Sequence, residues 1–295
     1  MSNETDLRAG ERLLTFELYH ENSKQRRYDL AFNRRIYEVN HNPEIHRVLA
    51  RAFKSYPGAA FAQLPKVVPQ EEFERVLASR RSTRQFTGEL IELEQLARLL
   101  QFSCGITGRL HAAENEPSQP VRAVPSAGAL YPVETYILVQ AVAGLRTGLY
   151  HYCVDRAGME LLAEGNFVDI LSHATSDKAT FANSASVFIL TGVFGRSHFK
   201  YGERGYRFAL LEAGHICQNV LLTATSLGLG AVAVGGFVDE EVNALLDLDG
   251  VDEAALYLIA AGHPETRTVE TRTDLIDRLL VALSTQSESG ACDSI

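Results

Sequence analysis

A cluster of cationic and hydroxyl side chains lies near position 80, in the segment Arg80-Arg81-Ser82-Thr83-Arg84. Guanidinium groups offer forked hydrogen-bond donors and keep their charge, so three of them beside two hydroxyls are suited to gripping a phosphate group. An ordinary basic surface turn is the alternative, and it is the commoner explanation when the run is taken alone. The two explanations predict different surroundings for the segment, an anion-binding cleft or open solvent.

A second cluster combines Lys200 and Tyr201 with Arg204 and Arg207 shortly after them. Surrounding cations stabilise a phenolate, so Tyr201 is a candidate general base and Lys200 its candidate partner. The cluster precedes a strongly apolar predicted helix, and side chains that snorkel from a helix N-terminus are therefore the alternative. Cations at that terminus oppose the helix dipole, which favours a functional explanation.

Two segments rich in proline or glycine could bring backbone against a flat ligand. The Pro-Ser loop, Pro125-Ser126-Ala127-Gly128-Ala129-Leu130-Tyr131-Pro132, predicts a stiff turn with exposed backbone donors ahead of a strand. It is either merely a good turn or a support for a planar heterocycle. Gly235-Gly236 follow a predicted buried strand and would allow close approach of backbone to a flat ligand. The glycine run from 228 to 236 does not match the dinucleotide-binding fingerprint, because Ala233 occupies the third glycine position and the run follows a helix.

The elements that must position these side chains alternate between helices and strands. The longest predicted helix, Tyr206–Leu227, has two apolar or small-residue stripes, so we expect it at a domain centre or a subunit interface. Another helix is predicted over Thr87–Phe102, closed by Gly105. The stripes consist of Tyr206, Leu210, Ala213, Cys217, Val220 and Ala224, and of Leu211, Gly214, Gln218 and Leu222. Strands are predicted at Glu134–Ala141, in a hairpin around Asp155–Gly158, at Ala185–Val193, at Ala231–Val234 and at Ala255–Ala261. Because several strands are linked by hairpins, the pattern favours the α+β class over a doubly wound sheet.

Length and composition describe a folded, acidic protein. The 295 residues contain 28 Lys and Arg against 37 Asp and Glu, a net charge of −9 that disfavours nucleic acid and anionic membranes as partners. The four cysteines are far apart with no Cys-x-x-Cys pair, so we predict no metal site and free thiols in a reducing compartment. Without an apolar signal segment or a bilayer-length apolar stretch, the expected location is the cytoplasm.

Six ordered segments resemble the flavin-dependent nitroreductase superfamily, and more narrowly its SagB-type (thiazole/oxazole-forming) dehydrogenases. They are RRSTR, PSAGALYP, KYGERGYRF, LLEAGHICQNVLLTATSLGLGA, VGGF and AAGHP. The Tyr19-His20-Glu21 start and the Tyr56-Pro57…Leu64-Pro65 stretch fit the same branch, so the resemblance covers residues 15–265. Each segment alone is weakly specific, whereas six in the right order are strongly so.

The resemblance implies a fold and a domain plan. The fold is α+β and nitroreductase-like, with a central, mostly antiparallel sheet flanked by helices, in an intertwined homodimer that binds one FMN at each of two interface sites. Residues 1–70 would be a polar N-terminal extension, 71–270 the FMN-binding domain, and 271–295 a C-terminal segment with a flexible tail. The extension is short and polar for a leader-binding domain, so the substrate would be recruited through a partner cyclodehydratase or would not be a ribosomal peptide.

The resemblance also assigns roles to single residues. The arginine-rich segment would hold the FMN phosphate and ribityl chain, the Pro-Ser loop of the partner subunit would touch the isoalloxazine, and the Gly-Gly-Phe turn would lie near flavin N5 and O4. A basic residue after the last strand would complete phosphate binding. The implied cofactor ligands are Arg80, Arg81, Ser82 and Arg84; Pro125, Ser126, Ala127, Gly128 and Leu130; Val234, Gly235 and Gly236; and Arg267.

The reaction that the resemblance implies is oxidation of a thiazoline or oxazoline ring to a thiazole or oxazole, in a peptide or carrier-bound natural-product intermediate. The catalytic pair of that branch corresponds to Lys200-Tyr201: Tyr201, assisted by Lys200, would remove the ring proton while the flavin accepts a hydride. Two alternatives remain. One is an NAD(P)H-dependent nitro- or quinone reductase, which needs no dedicated carbon-acid base; the other is a flavin-free scaffold subunit of a modifying complex, against which the intact arginine segment argues.

Overall fold

Antiparallel strands form the central sheet of the protein. The computed structural model describes residues 14–49, 53–110, 118–175 and 179–265. The strands are β1 (Ile106–Leu110), β2 (Gln119–Arg122), β3 (Val133–Val139), β4 (Gly148–Cys153), β5 (Gly158–Glu164), β6 (Ser186–Val193), β7 (Gly230–Val234) and β8 (Glu253–Gly262). Six of these described strands form the central sheet, in the spatial order β5-β4-β3-β6-β8-β7. The helices are α1 (Thr15–Ser23), α2 (Leu30–His41), α3 (Pro43–Leu49), α4 (Glu72–Ser79), α5 (Leu93–Cys104), α6 (Val168–Ala174), α7 (Ala179–Ala182), α8 (Gly195–Tyr201), α9 (Arg204–Ser226) and α10 (Asp239–Leu245).

The strand β6 shows why the sheet is covered by helices on both faces. It reads as a continuous apolar run, and successive side chains point to opposite faces. Phe188 and Leu190 join the core beneath α5 and α9. Val187 and Ile189 join the core beneath α6, α7 and α10. The predicted α+β class, antiparallel sheet and strand positions are confirmed.

The helix α9 lies close to its predicted bounds, but only one of its stripes is buried. Tyr206, Ala213 and Val220 are in the core, as predicted. The other stripe is open in the single chain, where Leu211 is 59% exposed, and Leu210 of the first stripe is also exposed. Gly228, at φ +71°, ends the helix in the left-handed conformation that glycine adopts readily.

The predicted helix over Thr87–Phe102 was too long at its start. The helix α5 begins at Leu93, behind a capping box formed by Glu92 and Gln95. The residues before it are extended because they bridge two other parts of the chain: Phe86 pairs with Pro264 and Ile91 with Val142. Tertiary pairing therefore overrides the helical periodicity of this stretch.

In the described part of the N-terminal extension, α1 is packed against the domain and the segment further on is exposed. Phe16 of α1 is buried against Phe194 and Tyr206, and the Tyr206 hydroxyl lies 3.2 Å from Nδ1 of the buried His20. Large apolar side chains between 53 and 68 are instead exposed, Phe61 to 86%. Within the described ranges, no helix has the length and apolarity needed to cross a membrane.

Candidate active site

The arginine-rich segment is fixed along the outer edge of the central sheet. Ser82 pairs in parallel with Ala231 at the start of β7, and the amide N–H of Thr83 donates to the carbonyl oxygen of Ala231 over 3.0 Å. A Cβ atom at Gly230 would lie 2.6 Å from the Thr83 side chain, so only glycine permits this approach. Main-chain pairing therefore fixes the position from which the arginine side chains project.

The three guanidinium groups of this segment are available to an anion. Arg80 is half-buried, and Arg81 and Arg84 are exposed. None of the three forms an ion pair with a carboxylate of the described residues, and Arg81 donates only to the main-chain carbonyls of Ala78 and Arg80. Cations that are not neutralised by neighbouring carboxylates are what a phosphate-binding turn requires, and the donor set is suited to a phosphate ester.

The Gly235-Gly236 turn lies at the opposite end of β7 from this segment. Neither glycine is in the left-handed region, and a Cβ at Gly235 would make only an ordinary contact, 3.5 Å from the Tyr257 ring. Folding of this chain therefore does not by itself require glycine there. At about 3.3 Å per residue, Ala231 and Gly235 are about 13 Å apart along the strand, which leaves room for an extended ligand beside it.

The Pro-Ser loop is a strained segment held by side chains. Gly128, Ala129 and Tyr131 all have positive φ, at 62°, 53° and 47°, and non-glycine residues in this region cost free energy that the surroundings must supply. The Tyr131 amide N–H donates to Oγ of Ser126 over 2.9 Å. The Arg122 guanidinium lies 4.4 Å from the centroid of the Tyr131 ring, and its amide N–H donates to the Tyr131 hydroxyl over 3.0 Å.

Lys200 and Tyr201 meet this loop at one point. An ideal Cβ at Gly128 would lie 2.6 Å from the Tyr201 hydroxyl and 2.7 Å from the Lys200 Nζ, so both side chains reach the glycine directly. The Tyr201 ring packs edge-on against Phe208, with centroids 5.0 Å apart. The structure thus brings together two segments that are more than 70 residues apart in sequence.

The position of the Lys-Tyr pair differs from the sequence-based prediction. Lys200 and Tyr201 form the end of the short helix α8, not the N-terminus of the long one, and Gly202 separates the two helices. A cation in the last turn is favourable to the helix dipole, so the dipole argument for function does not apply to Lys200. Arg204 and Arg207 do lie in the first turn of α9.

The two groups of candidate residues lie at opposite ends of α9. The arginine-rich segment pairs with β7, which begins four residues after α9 ends, whereas α8 packs on the first turn of α9 through Gly205 and Ser197. A helix of 23 residues is about 35 Å long at 1.5 Å per residue. Within one chain, the phosphate-binding candidates and the Lys-Tyr pair are therefore far apart.

Comparison with known proteins identifies the family. The nitroreductase family matches residues 77–263, which is more than half of the chain. The chain belongs to the nitroreductase family. The matched range contains every candidate site residue except Arg267, which lies outside the described residues.

Three curated relatives are similar in sequence to this nitroreductase-family chain. MJ1384, a candidate nitroreductase of Methanocaldococcus jannaschii, is 34% identical over 201 residues, which are 68% of this chain and 95% of MJ1384. The microcin B17-processing protein McbC of Escherichia coli is 33% identical over 45% of this chain. The trifolitoxin-processing protein TfxB of Rhizobium leguminosarum is 34% identical over 46%. The matches span only 51% of McbC and 38% of TfxB.

A solved structure has the same fold. A chain of the E. coli microcin synthetase McbBCD complex, determined with truncated pro-MccB17 bound, superposes with a TM-score of 0.59 and 22% identity. The superposition covers 77% of this chain and 84% of that one. The predicted nitroreductase-like fold is confirmed.

The nitroreductase fold also buries a carboxyl group that sequence reasoning missed. Glu212 of α9 is 2% exposed, its Oε1 accepts the Val133 amide N–H over 3.4 Å, and its Oε2 has no hydrogen-bond partner among the described residues. Burial raises the pKa of Glu212 above its ordinary value of 4.5, and the neighbouring Ser126 hydroxyl opposes that rise. The sequence signal that could have identified Glu212 was a single carboxylate within the predicted apolar helix.

The remaining predicted ligands are distributed as follows. Pro125 is exposed, Ala127 and Leu130 are half-buried beside Ser126, and Val234 ends β7. No group of three or more His, Cys, Asp or Glu in the described ranges could hold a metal ion.

Proposed function

We propose that the protein is an FMN-dependent oxidoreductase that dehydrogenates thiazoline or oxazoline rings to thiazoles or oxazoles in a peptide or carrier-bound intermediate. The observation that carries this proposal is the approach of Lys200 and Tyr201 to Gly128 of the Pro-Ser loop. A tyrosine hydroxyl and an ammonium group at one point of the site form a candidate proton acceptor with its stabilising charge. The similarity to two toxin-processing proteins, McbC and TfxB, supports the same class of substrate.

The chain has residues suited to holding FMN. Arg80 and Arg84 would bind the phosphate, with Arg81 and the Ser82 hydroxyl beside them, and Gly235-Gly236 would admit the ring system at the other end of β7. Two observations support this arrangement: the guanidiniums have no carboxylate partner in the part of the chain that the structure describes, and the fold does not itself need glycine in the turn. Bound FMN would supply the acceptor for the hydride from the ring methylene of the substrate.

The proton would be handled by the Lys-Tyr pair. Tyr201 Oη removes the proton from the ring carbon that was a peptide Cα, and the Lys200 ammonium stabilises the phenolate that accepts it. Loss of this proton to Tyr201, together with the hydride for which FMN would be the acceptor, would account for the new double bond. The Pro-Ser loop orients the azoline ring of the substrate, because its strained main chain is already fixed before the substrate binds.

A homodimer would complete the site. The phosphate-binding candidates and the Lys-Tyr pair are separated by about the length of α9, about 35 Å, which no single FMN spans. If the Pro-Ser loop and Lys-Tyr pair of one protomer face the arginine segment of its partner, one flavin reaches both. The exposed residues Leu210, Leu211 and Gly214 on α9 support such an interface.

The proposal also includes a partner protein and the location of the protein in the cell. The similar chain of the McbBCD complex is part of a synthetase with a bound pro-peptide, which supports recruitment of the substrate through a cyclodehydratase. A cytoplasmic location accords with the thiols of Cys104, Cys153 and Cys217, which are free in the structure.

Anaerobic mixing tests the reaction. The FMN-loaded protein is mixed with an azoline peptide or with NAD(P)H, and flavin absorbance is followed. We expect bleaching by the azoline peptide, and we expect Tyr201→Phe to keep FMN but bleach about 10²–10⁴-fold more slowly, because the base is missing. The matched control is Tyr37→Phe on the exposed α2.

Three results would change the conclusion. Bleaching by NAD(P)H alone would indicate the reductase that the name of MJ1384 favours. Unaltered bleaching by Tyr201→Phe would remove the proposed base. Failure to retain added FMN would favour a scaffold subunit.

A further inference from the structure

The helix α8 contacts the Pro-Ser loop at both of its ends. Its last turn carries Lys200 and Tyr201, which meet Gly128. In its first turn, Nη1 of Arg196 donates to the carbonyl oxygen of Tyr131 over 3.2 Å. Arg196 and Lys200 are four residues apart, so they lie on the same face of the helix. One face of α8 is thus fixed to the loop at two points.

The Arg196 contact is anchored in the central sheet through Glu134. The Arg196 guanidinium forms an ion pair with Oε1 of Glu134, and His151 Nε2 lies 3.1 Å from Oε2. Although burial alone would raise the pKa of Glu134, hydrogen bonds from His151 and Arg196 bring it below its ordinary value, so the carboxylate stays charged. Glu134 belongs to β3, which is paired on both sides. The anchor is therefore a rigid strand.

The loop needs such a tie because of its strain. Tyr131 is in the left-handed region at φ +47°. Its amide N–H is held by Ser126 and its ring by Arg122, both within or beside the loop. The hydrogen bond from Arg196 to the Tyr131 carbonyl oxygen differs from these contacts, because Arg196 belongs to the helix that carries the Lys-Tyr pair.

We propose that Arg196, paired with Glu134, is a positioning residue that locks α8 onto the Pro-Ser loop and so sets where Tyr201 stands relative to the ring it deprotonates. Arg196 acts through Tyr131 and α8 and touches no reacting atom. The catalytic consequence rests on the function proposed above, whereas the mechanical consequence, a loop and helix held together, does not.

The test compares Arg196→Met with Arg98→Met in the full-length, FMN-loaded protein. Arg98 is a matched control, because it forms an exposed ion pair with Glu94 on α5, away from the loop. Amide hydrogen exchange is measured over residues 126–131 and 197–202, together with anaerobic flavin reduction by an azoline peptide. For Arg196→Met we expect faster exchange in both segments, unchanged FMN content, and reduction about 10–100-fold slower at saturating substrate with little change in KM. Added guanidinium should restore part of the rate, and Arg98→Met should match the wild type.

Each other outcome decides between the proposals. Exchange and rate equal to those of Arg98→Met would overturn the lock. A slower reaction with unchanged exchange would also overturn it, because Arg196 would then act on the substrate itself. Faster exchange in a protein whose wild type is not reduced by azolines would support the lock and reject the proposed reaction. If Arg196→Met does not fold, Arg196→Lys keeps the charge beside Glu134 but loses the guanidinium fork, and intermediate exchange is expected.

Discussion

The candidate sites at the two ends of α9 are held in place in different ways. At its C-terminal end, main-chain pairing of Ser82 and Thr83 with Ala231 fixes a turn whose arginine side chains have no carboxylate partner among the described residues. Near its N-terminal end, the main chain of the Pro-Ser loop is strained, and the side chains of Ser126, Arg122 and Arg196 hold it. A site that binds a phosphate can have mobile cationic side chains as long as its main chain is rigid. A site that transfers a proton needs its reacting atoms held in place. Under the proposed function, the N-terminal end of α9 should therefore be the more sensitive to small structural changes.

Among variants that leave Lys200 and Tyr201 unchanged, the largest effect is expected from Gly128→Ala, which places a methyl group where the Tyr201 hydroxyl and Lys200 ammonium lie. Any non-glycine residue there also costs about 1–2 kcal/mol of stability for its positive φ. Displacement of the pair by about 1 Å should slow azoline-driven flavin reduction about 100-fold.

Gly144→Ala separates the two causes. Gly144 has a similar φ of +78°, but a Cβ there meets nothing within 4 Å. Thermal melting should show comparable destabilisation of both variants, whereas stopped-flow reduction should be slow only in Gly128→Ala. Equal rates in the two variants would mean that the approach of Lys200 and Tyr201 to the loop does not matter for reaction.

An intermediate effect is expected at the other end of α9. Arg80→Ala should weaken FMN retention by about 1.5–3 kcal/mol, the typical value of a hydrogen bond to a charged group. Flavin content after dialysis, measured against Arg34→Ala on the exposed α2, gives the result. Because the turn is held by its main chain, the melting temperature of the apoprotein should be unchanged. Flavin content equal to that of Arg34→Ala would reject the phosphate-binding role.

The smallest effect concerns the buried Glu212 beneath the Pro-Ser loop. Burial raises its pKa above 4.5, so the folded protein keeps a proton that the unfolded chain releases as pH increases. Stability is therefore lost as pH rises from about 4.5 through the raised pKa. Glu212→Gln cannot ionise, so its melting temperature relative to wild type should increase over this range.

Melting curves from pH 4.5 to 8 check this prediction, with the exposed Glu89→Gln as control. Parallel pH profiles for wild type and Glu212→Gln would show that the carboxyl keeps the same protonation state in the folded and unfolded chains. Glu212 would then not contribute to the difference between the two ends of α9.

Contiguous features of the site could be predicted from sequence, and distributed ones could not. The arginine segment and the Lys-Tyr pair each lie within a few residues, so their chemistry is readable without a fold. Arg196 and Glu134 are brought together only by the packing of α8 beside β3, and neither belongs to a charged cluster in the sequence.

The same distinction applies to the fold. The apolar run of β6 predicts a buried strand by itself. The start of α5 at Leu93 depends on the pairing of Ile91 with Val142, about 50 residues away, which periodicity does not record. The exposed stripe of α9 differs from its prediction for a related reason. Its apolar residues predict a buried face, but Leu211 is exposed among the residues of the single chain that the structure describes.

Glu203 stands immediately before α9, and its two carboxylate oxygens accept the amide N–H groups of Thr15 and Phe16 over 3.0 and 2.7 Å. One side chain thus caps α1 and borders the Gly202 bend that follows the Lys-Tyr pair. A proteolytic cut just before Thr15 would disturb this cap, and the disturbance would be transmitted to a tyrosine almost 190 positions further along.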